Sequence, residues 1–215
     1  MIIQLSDVFK YSITLGLMKD EEASLDILRE ISTMGAGNAA TAISELIGKR
    51  INIDVPHARY LGLKEASTSL GRSEVTIAIS IEFDGEMPGH FFILMDRKDA
   101  LKLLRLMLNR DVEEVGDFET SAILEMGNIL TGAFLSSVAN FLDITLRQFP
   151  PKIKVEMIRA ILDEALAECG KRGDKIWIAN IKFSIEETRS SGYLLFIPFF
   201  SLVDELQKRL KDLEE

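Results

Sequence analysis

A short pattern that occurs twice, 95 positions apart, is the feature that most constrains how this chain can fold. Residues 30–37 read EISTMGAG and residues 125–132 read EMGNILTG, so both begin with Glu and end with Gly. The residue types around them also recur at this offset, in the pairs Asp26/Ser121, Glu30/Glu125, Gly37/Gly132, Thr41/Ser136, Ile43/Val138, Leu46/Phe141, Ile51/Leu146 and Pro56/Pro151. Towards the ends of the copies the offset becomes 103, as in Gly89/Gly192. The pattern indicates that the chain is an internal duplication.

The periodicity of the apolar residues predicts the same order of elements in both copies. The first copy is predicted to contain a helix that ends at Gly48, strands at 51–55, 74–83 and 90–95 with a hairpin turn at Asp84-Gly85, and a helix at 97–109. The second is predicted to contain a helix from about 118 to 142 capped by Asp117, strands at 144–149, 177–186 and 193–200, and a helix at 201–213. A helical insert at 155–169 is predicted only in the second copy. Gly35 and Gly37 predict a bend or a close packing contact in the first helix.

Neither copy has enough strands to cover its own hydrophobic face, so we expect the two copies to share one core. The sequence therefore predicts an α+β fold with pseudo-twofold symmetry, in which a largely antiparallel sheet packs against long helices. Residues 1–19 are interpreted as an N-terminal extension that includes a short helix at 2–18. Residues 20–215 are predicted to form a single domain of two repeats, about 20–115 and 116–215. Because the duplication already supplies twofold symmetry, we expect a monomer.

Composition narrows the class of function. The net charge of −9 argues against nucleic-acid binding, which requires a basic face. No apolar run reaches the roughly 18–20 residues of a membrane span, so we expect no membrane insertion. The single cysteine, Cys169, excludes an intrachain disulfide and favours the reducing cytoplasm. His57 and His90 are isolated in sequence, and no cluster of metal-ligand residues is present, so we predict no metal in this chain.

One helical strip contains side chains that could perform chemistry. Ser121, Glu125, Asn128 and Gly132 follow the i, i+4, i+7, i+11 spacing of a single helix face. A carboxylate can pair with a cationic side chain of a partner, and an amide can orient a water because it both donates and accepts hydrogen bonds. Gly132 would let another molecule's backbone approach. The alternative is that the strip is only the solvated side of the helix.

These residues also fit a family motif. The pattern [Asp/Ser]-x3-Glu-x2-Asn-x22-Pro resembles that of the CheC, CheX and FliY phosphatases of chemotaxis, and Ser121, Glu125, Asn128 and Pro151 fit it at every spacing. The first copy fits with Asp26, Glu30 and Pro56, but has Thr33 where the motif has Asn. The segment GAGNAATAIS (35–44) resembles the sequence that follows the first CheC motif. The resemblance extends from about residue 22 onward.

The resemblance implies a CheC-like fold and the hydrolysis of the aspartyl phosphate of phospho-CheY. In such proteins the motif Glu docks on a Lys of CheY and the motif Asn positions the attacking water, which assigns these roles to Glu125 and Asn128. The resemblance also implies that Mg²⁺ belongs to CheY and that CheD is a partner. Thr33 has a hydroxyl in place of the amide, so we predict one competent site, with Glu30 and Thr33 forming a degenerate docking surface.

Two other functions are consistent with the same resemblance. The lost Asn of the first copy favours a non-catalytic, CheD-binding adaptor that regulates receptor adaptation. A flagellar switch component like FliY is the other alternative, although such proteins usually carry an additional switch-binding domain that these 215 residues lack.

Overall fold

The computed structural model describes residues 21–70, 75–170 and 175–199, and the helices predicted at 2–18 and 201–213 lie outside them. The described helices are α1 (Glu21–Ile47), α2 (Leu63–Leu70), α3 (Arg97–Leu108), α4 (Asp117–Leu142) and α5 (Ile158–Gly170). The described strands are β1 (Ile51–Ile53), β2 (His57–Gly62), β3 (Val75–Gly85), β4 (Gly89–Asp96), β5 (Leu146–Gln148), β6 (Lys152–Met157), β7 (Lys175–Ile185) and β8 (Ser190–Pro198).

The strands form one eight-stranded sheet in which all the described pairings are antiparallel. The strand order is β1-β7-β8-β4-β3-β5; β2 continues along β7 after β1, and β6 continues along β3 after β5. The two halves of the chain therefore exchange strands, because β1 and β2 pair with a strand of the second half while β5 and β6 pair with one of the first. The prediction of an α+β fold with a largely antiparallel sheet is confirmed.

The short strands β1 and β5 occupy comparable positions in the two halves. Ile53 lies opposite Phe183 and Gln148 lies opposite Phe83. Ile53 and Gln148 are separated by the same 95 positions as the two helical patterns. The two halves thus place equivalent strands in equivalent registers. That this correspondence arose by duplication remains a prediction.

The two faces of the sheet support separate hydrophobic clusters. Alternating strand residues point to opposite faces, so Ile77 and Ile79 join the cluster under α1, α3 and α4, whereas Ala78 joins a smaller cluster under α2 and α5. The long helices α1 and α4 pack against each other on the larger cluster. They are the layer that carries both copies of the repeated pattern.

The contact between α1 and α4 depends on a glycine. A Cβ atom at Gly35 would lie 2.8 Å from the ring of Phe134, which is fully buried. The ring centroid of Phe134 also lies 4.8 Å from that of Phe91 and 5.1 Å from that of Phe196. The predicted close packing contact is confirmed at Gly35, and α1 continues through both glycines without interruption.

Several sequence predictions were wrong in detail. The segment at 155–169 is not helical throughout, because 155–157 belong to β6 and the helix α5 begins at Ile158. Nor is it an insert found only in the second half, because α2 is a shorter helix that follows β2 in the first half. The first-half elements β2 and α2 were not predicted. Asp117 is the first residue of α4 rather than its cap, which is Gly116. The Asp84-Gly85 pair lies within β3, so the hairpin turns at residues 86–88.

We predict that Gly35→Ala lowers the free energy of unfolding by about 1–3 kcal/mol, because the added methyl group overlaps a ring that neighbouring aromatic side chains hold in place. Gly37→Ala is the matched control on the same helix. A Cβ there meets nothing within 4 Å, and alanine favours the helix by up to about 1 kcal/mol over glycine. Urea denaturation followed by circular dichroism measures both changes, and equal stability of the two variants would contradict this account of the packing.

Candidate functional site

The strip identified in the sequence lies on the outer side of α4. The inner side of this helix is buried through Ile123, Met126, Leu130 and Phe134. The helix begins after Gly116, whose backbone N–H donates to Glu119 Oε2 at 3.1 Å. Because the apolar positions fix which side faces the sheet, Ser121 and Glu125 are left exposed and Asn128 and Gly132 half-buried.

Among the described helices, α4 is the one that is long and apolar enough to cross a bilayer by length and composition. Core helices of proteins that lie outside membranes have the same length and composition. The packing of Ile123 and Met126 in the larger core cluster accounts for the apolar character of α4.

The carboxylate of Glu125 is available for a partner. It is exposed and forms no ion pair or hydrogen bond with any residue in the described part of the chain. Ser121, one turn earlier, directs its hydroxyl to its own helix, where Oγ donates to the carbonyl of Asp117 at 3.0 Å. The strip therefore offers one free negative charge, next to the amide of Asn128.

Asn128 contacts a residue that the sequence analysis did not identify, Gln148 at the end of β5. The Nε2 atom of Gln148 donates to Asn128 Oδ1 at 2.6 Å and to the backbone carbonyl of Asn128 at 3.1 Å. A backbone carbonyl only accepts hydrogen bonds, so the Gln148 atom facing it must be nitrogen. The Asn128 atom facing that nitrogen must then be oxygen. Consequently Asn128 turns its own amino group, Nδ2, away from Gln148.

The strand that holds Gln148 carries a cross-strand ion pair on its exposed side. Arg147 lies directly opposite Asp84 and donates from Nε at 3.1 Å and from Nη2 at 2.7 Å to the two carboxylate oxygens. The hydrogen bond from Arg147 holds the pKa of the Asp84 carboxyl below its ordinary value. The guanidinium also lies 5.5 Å from the ring centroid of Phe149. The backbone pairing of β5 with β3 sets the register and so the position of Gln148, and these surface contacts are compatible with it.

Pro151 lies in the link between β5 and β6, not on the helical strip. Before it, the Phe149 N–H donates to the carbonyl of Glu82 at 2.8 Å, and the ladder resumes where Lys152 faces Ser80. A proline has no N–H for the ladder, so it separates the two short strands.

Gly132 lies next to Gln148: a Cβ there would be 3.7 Å from Gln148 Oε1.

The first copy has a different arrangement on α1. Asp26 pairs with Arg29 at 2.6 Å, and the Thr33 hydroxyl donates to the carbonyl of Arg29 at 2.8 Å, so it bonds to its own helix. Glu30 is exposed and Pro56 is buried. Ile53 occupies the strand position that corresponds to Gln148. The first copy therefore keeps the carboxylate and lacks both amides.

Phe118 is a second residue that the sequence analysis missed. It precedes Ser121 and Glu125 by three and seven residues, which places it on the same face of α4. Its side chain is 63% exposed, and the guanidinium of Arg110 lies 5.3 Å from its ring centroid. Aromatic residues are enriched at protein interfaces, so the position of this ring next to the polar strip makes Phe118 a candidate contact residue.

No group of three or more His, Cys, Asp or Glu side chains within residues 21–70, 75–170 and 175–199 could hold a metal ion. His57 is exposed on β2, whereas His90 is buried next to Phe92 and Phe199. The side chain of Cys169 lies outside those that the structure describes.

A signal for Gln148 was present in the sequence. Leu146 and Gln148 alternate with the exposed Arg147, so Gln148 is a polar residue at an inward-facing position where the first copy has Ile53. Phe118 could have been found by extending the helical spacing one turn before Ser121.

Comparison with known proteins agrees with this architecture. The family model described as CheC-like matches residues 24–60, and the model described as chemotaxis phosphatase CheX matches residues 77–169. The chain is 31% identical to the CheY-P phosphatase CheC of Bacillus subtilis (strain 168) over 160 residues, which are 72% of this chain and 77% of that protein.

Solved structures show the same fold. FliY of Thermotoga maritima superposes with a TM-score of 0.71 at 22% identity, covering 91% of this chain and 99% of that one. CheX in the CheX–CheY–BeF3–Mg²⁺ complex from Borrelia burgdorferi superposes with a TM-score of 0.52 at 16% identity, covering 77% and 97%. The extent of identity to CheC, together with the shared fold, shows that this chain belongs to the CheC-like family of chemotaxis phosphatases.

Proposed function

We propose that this protein hydrolyses the aspartyl phosphate of phospho-CheY at a single site formed by Glu125 and Asn128. The observation that carries the proposal is the juxtaposition, on one side of α4, of an exposed free carboxylate and a half-buried amide whose amino group is turned away from Gln148. The similarity to a CheY-P phosphatase over most of the chain supports the choice of substrate.

In the proposed reaction, Glu125 binds a cationic side chain of CheY and so brings Asn128 to the phosphorylated aspartate. A water attacks phosphorus as the bond from phosphorus to the aspartate oxygen breaks, which yields inorganic phosphate and the free aspartate. Asn128 Oδ1 still has one lone pair that can orient the water, and Nδ2 can donate to a phosphoryl oxygen. Phosphoryl transfer of this kind depends mainly on positioning and electrostatics, so a strong base is not required.

The metal ion of the reaction is assigned to CheY. Mg²⁺ is present in the complex of the related CheX with CheY, and the described residues of this chain provide no cluster of metal ligands. In this assignment the chain contributes docking and the amide, and CheY contributes the ion.

We propose that the first copy does not hydrolyse phosphate, because Thr33 directs its hydroxyl to its own helix and the Ile53 side chain cannot form hydrogen bonds. Glu30 remains exposed and can still bind a cationic group of a partner. The first copy would then be a docking surface, and binding of CheD to this surface or elsewhere is a part of the proposal that rests on family resemblance alone.

We predict that Asn128→Ala slows the release of phosphate from phospho-CheY on the order of 100-fold, the usual scale for removing one group that acts on the transition state. Asn140→Ala is the matched control, since Asn140 is an exposed asparagine of the same helix outside the strip. Decay of phospho-CheY is measured with each variant in buffer that contains no phosphodonor. Binding of the BeF3 form of CheY is measured in parallel.

Full activity of the Asn128→Ala variant would show that the amide is not catalytic. If the wild-type protein binds CheY without accelerating its decay, the enzyme proposal fails and the adaptor is the better description.

We predict that Glu125→Lys raises the phospho-CheY concentration at half-maximal rate roughly five- to tenfold at low salt, because an attractive charge pair becomes a repulsive one. The difference from wild type should shrink as salt is added. Glu45→Lys makes the same change in net charge at another exposed site and should behave like wild type. An effect of equal size in both variants would mean that only net charge matters.

We predict that Phe118→Ser raises the same half-maximal concentration about fivefold or more while leaving the maximal rate unchanged, because an exposed aromatic anchor contributes to binding. The control is Val55→Ser at another exposed apolar position. A fall in maximal rate without a change in the half-maximal concentration would place Phe118 outside the docking surface.

A further inference from the structure

We propose that Gln148 is a positioning residue that selects the orientation of the catalytic amide, an inference that rests on the proposed function of Asn128. An asparagine side chain can rotate by about half a turn and exchange its oxygen and nitrogen, since terminal amide torsions have two similar wells. Only one of these arrangements presents Nδ2 to the bound partner. The two hydrogen bonds from Gln148 Nε2, to Oδ1 at 2.6 Å and to the backbone carbonyl at 3.1 Å, select it.

The backbone carbonyl of Asn128 ensures that only one of the two orientations of the Asn128 amide is satisfied. If Asn128 turned its amino group towards Gln148, two amino groups would face each other. Gln148 could not relieve this by exchanging its own atoms, because its oxygen would then face the carbonyl of Asn128. The donated hydrogen bond also polarises the Asn128 amide, which strengthens Nδ2 as a donor.

The arrangement is difficult to explain by stability alone. The other end of the Gln148 amide, Oε1, is buried and accepts no hydrogen bond from any described residue. A buried carbonyl that lacks a donor is destabilising, and an apolar side chain at this position would avoid that cost. The first copy has such a side chain in Ile53, which packs against the hydrophobic core.

The first copy provides an internal comparison. Thr33 and Ile53 occupy the positions that correspond to Asn128 and Gln148. The first copy thus lacks the catalytic amide and also lacks the glutamine that would orient it. The space next to Gly37 is open, whereas the corresponding space next to Gly132 is in contact with the Gln148 amide. A glutamine introduced at position 53 therefore has room to contact α1 next to Gly37, as Gln148 contacts α4 next to Gly132.

The first test replaces Gln148 by Met, which keeps the length of the side chain but cannot donate. We expect the maximal rate of phospho-CheY hydrolysis to fall about tenfold, the scale of one hydrogen bond, while the affinity for the BeF3 form of CheY stays within about twofold. The free energy of unfolding should stay the same or rise. Gln148→Glu, which can only accept when ionised, should also lower the maximal rate, because it draws Nδ2 towards itself.

Unchanged maximal rates in both variants would overturn the proposal. A fall in rate accompanied by equal loss of stability and affinity would also overturn it, since that is the behaviour of a merely structural residue.

The second test rebuilds the first copy in an Asn128→Ala background, where the original site is silent. We expect Thr33→Asn alone to restore little activity and Thr33→Asn with Ile53→Gln to restore more, by about the same tenfold factor. Equal activity of the single and double variants, with both folded, would count against a positioning role.

A measurement without turnover separates this inference from the proposed function. In nuclear magnetic resonance spectra of the wild-type protein, the Gln148 side-chain amide protons should exchange slowly, and Gln148→Met should shift the Asn128 side-chain amide resonances. If wild type shows this hydrogen bond but no phosphatase activity, the proposed function fails while the contact stands. If it is an active phosphatase without the hydrogen bond, the role of Gln148 is refuted alone.

Discussion

The pairing of β5 with β3 is the constraint on which the site depends. β5 has only three residues, and it belongs to the half of the chain that also contains α4, whereas β3 belongs to the other half. So short a strand cannot hold its place alone, and its backbone ladder to β3 keeps it in register, with only a small contribution expected from the exposed Arg147–Asp84 pair. The amide of Gln148 reaches Asn128 only because this exchange of strands places β5 under α4.

The packing of α4 against α1 and the core supports the same geometry from the inner side of α4. The approach of α1 to α4 at Gly35 and the burial of Phe134 fix how α4 is rotated about its axis. That rotation buries Met126 and leaves Glu125 exposed, although the two residues are adjacent in sequence. Because side chains in a close-packed core interdigitate, this packing resists rotation of α4 about its axis. The chemistry of the strip is thus a consequence of core packing.

The two halves show how one scaffold can carry a site with or without its amides. Both keep an exposed glutamate at the same position of the long helix and equivalent strand registers. The first half has the apolar Ile53 where the second has Gln148 with its unpaired carbonyl oxygen, so the second half carries the cost in stability. Such a cost is expected where geometry serves binding or catalysis rather than folding.

Periodicity in the sequence determined the long helices, the main hairpin strands and the strip of Ser121, Glu125 and Asn128, because helix and strand geometry are local. It failed for β2 and α2, whose apolar periods are short. The end of α1 was also determined locally, because Gly48 has a positive φ of 65°, a conformation that glycine adopts readily. Tertiary structure alone decided that Asn128 meets Gln148, twenty residues later. That contact depends on the exchange of strands between the two halves. The pairing of β5 with β3, which places Gln148, is not encoded in the sequence near Gln148 or near Asn128.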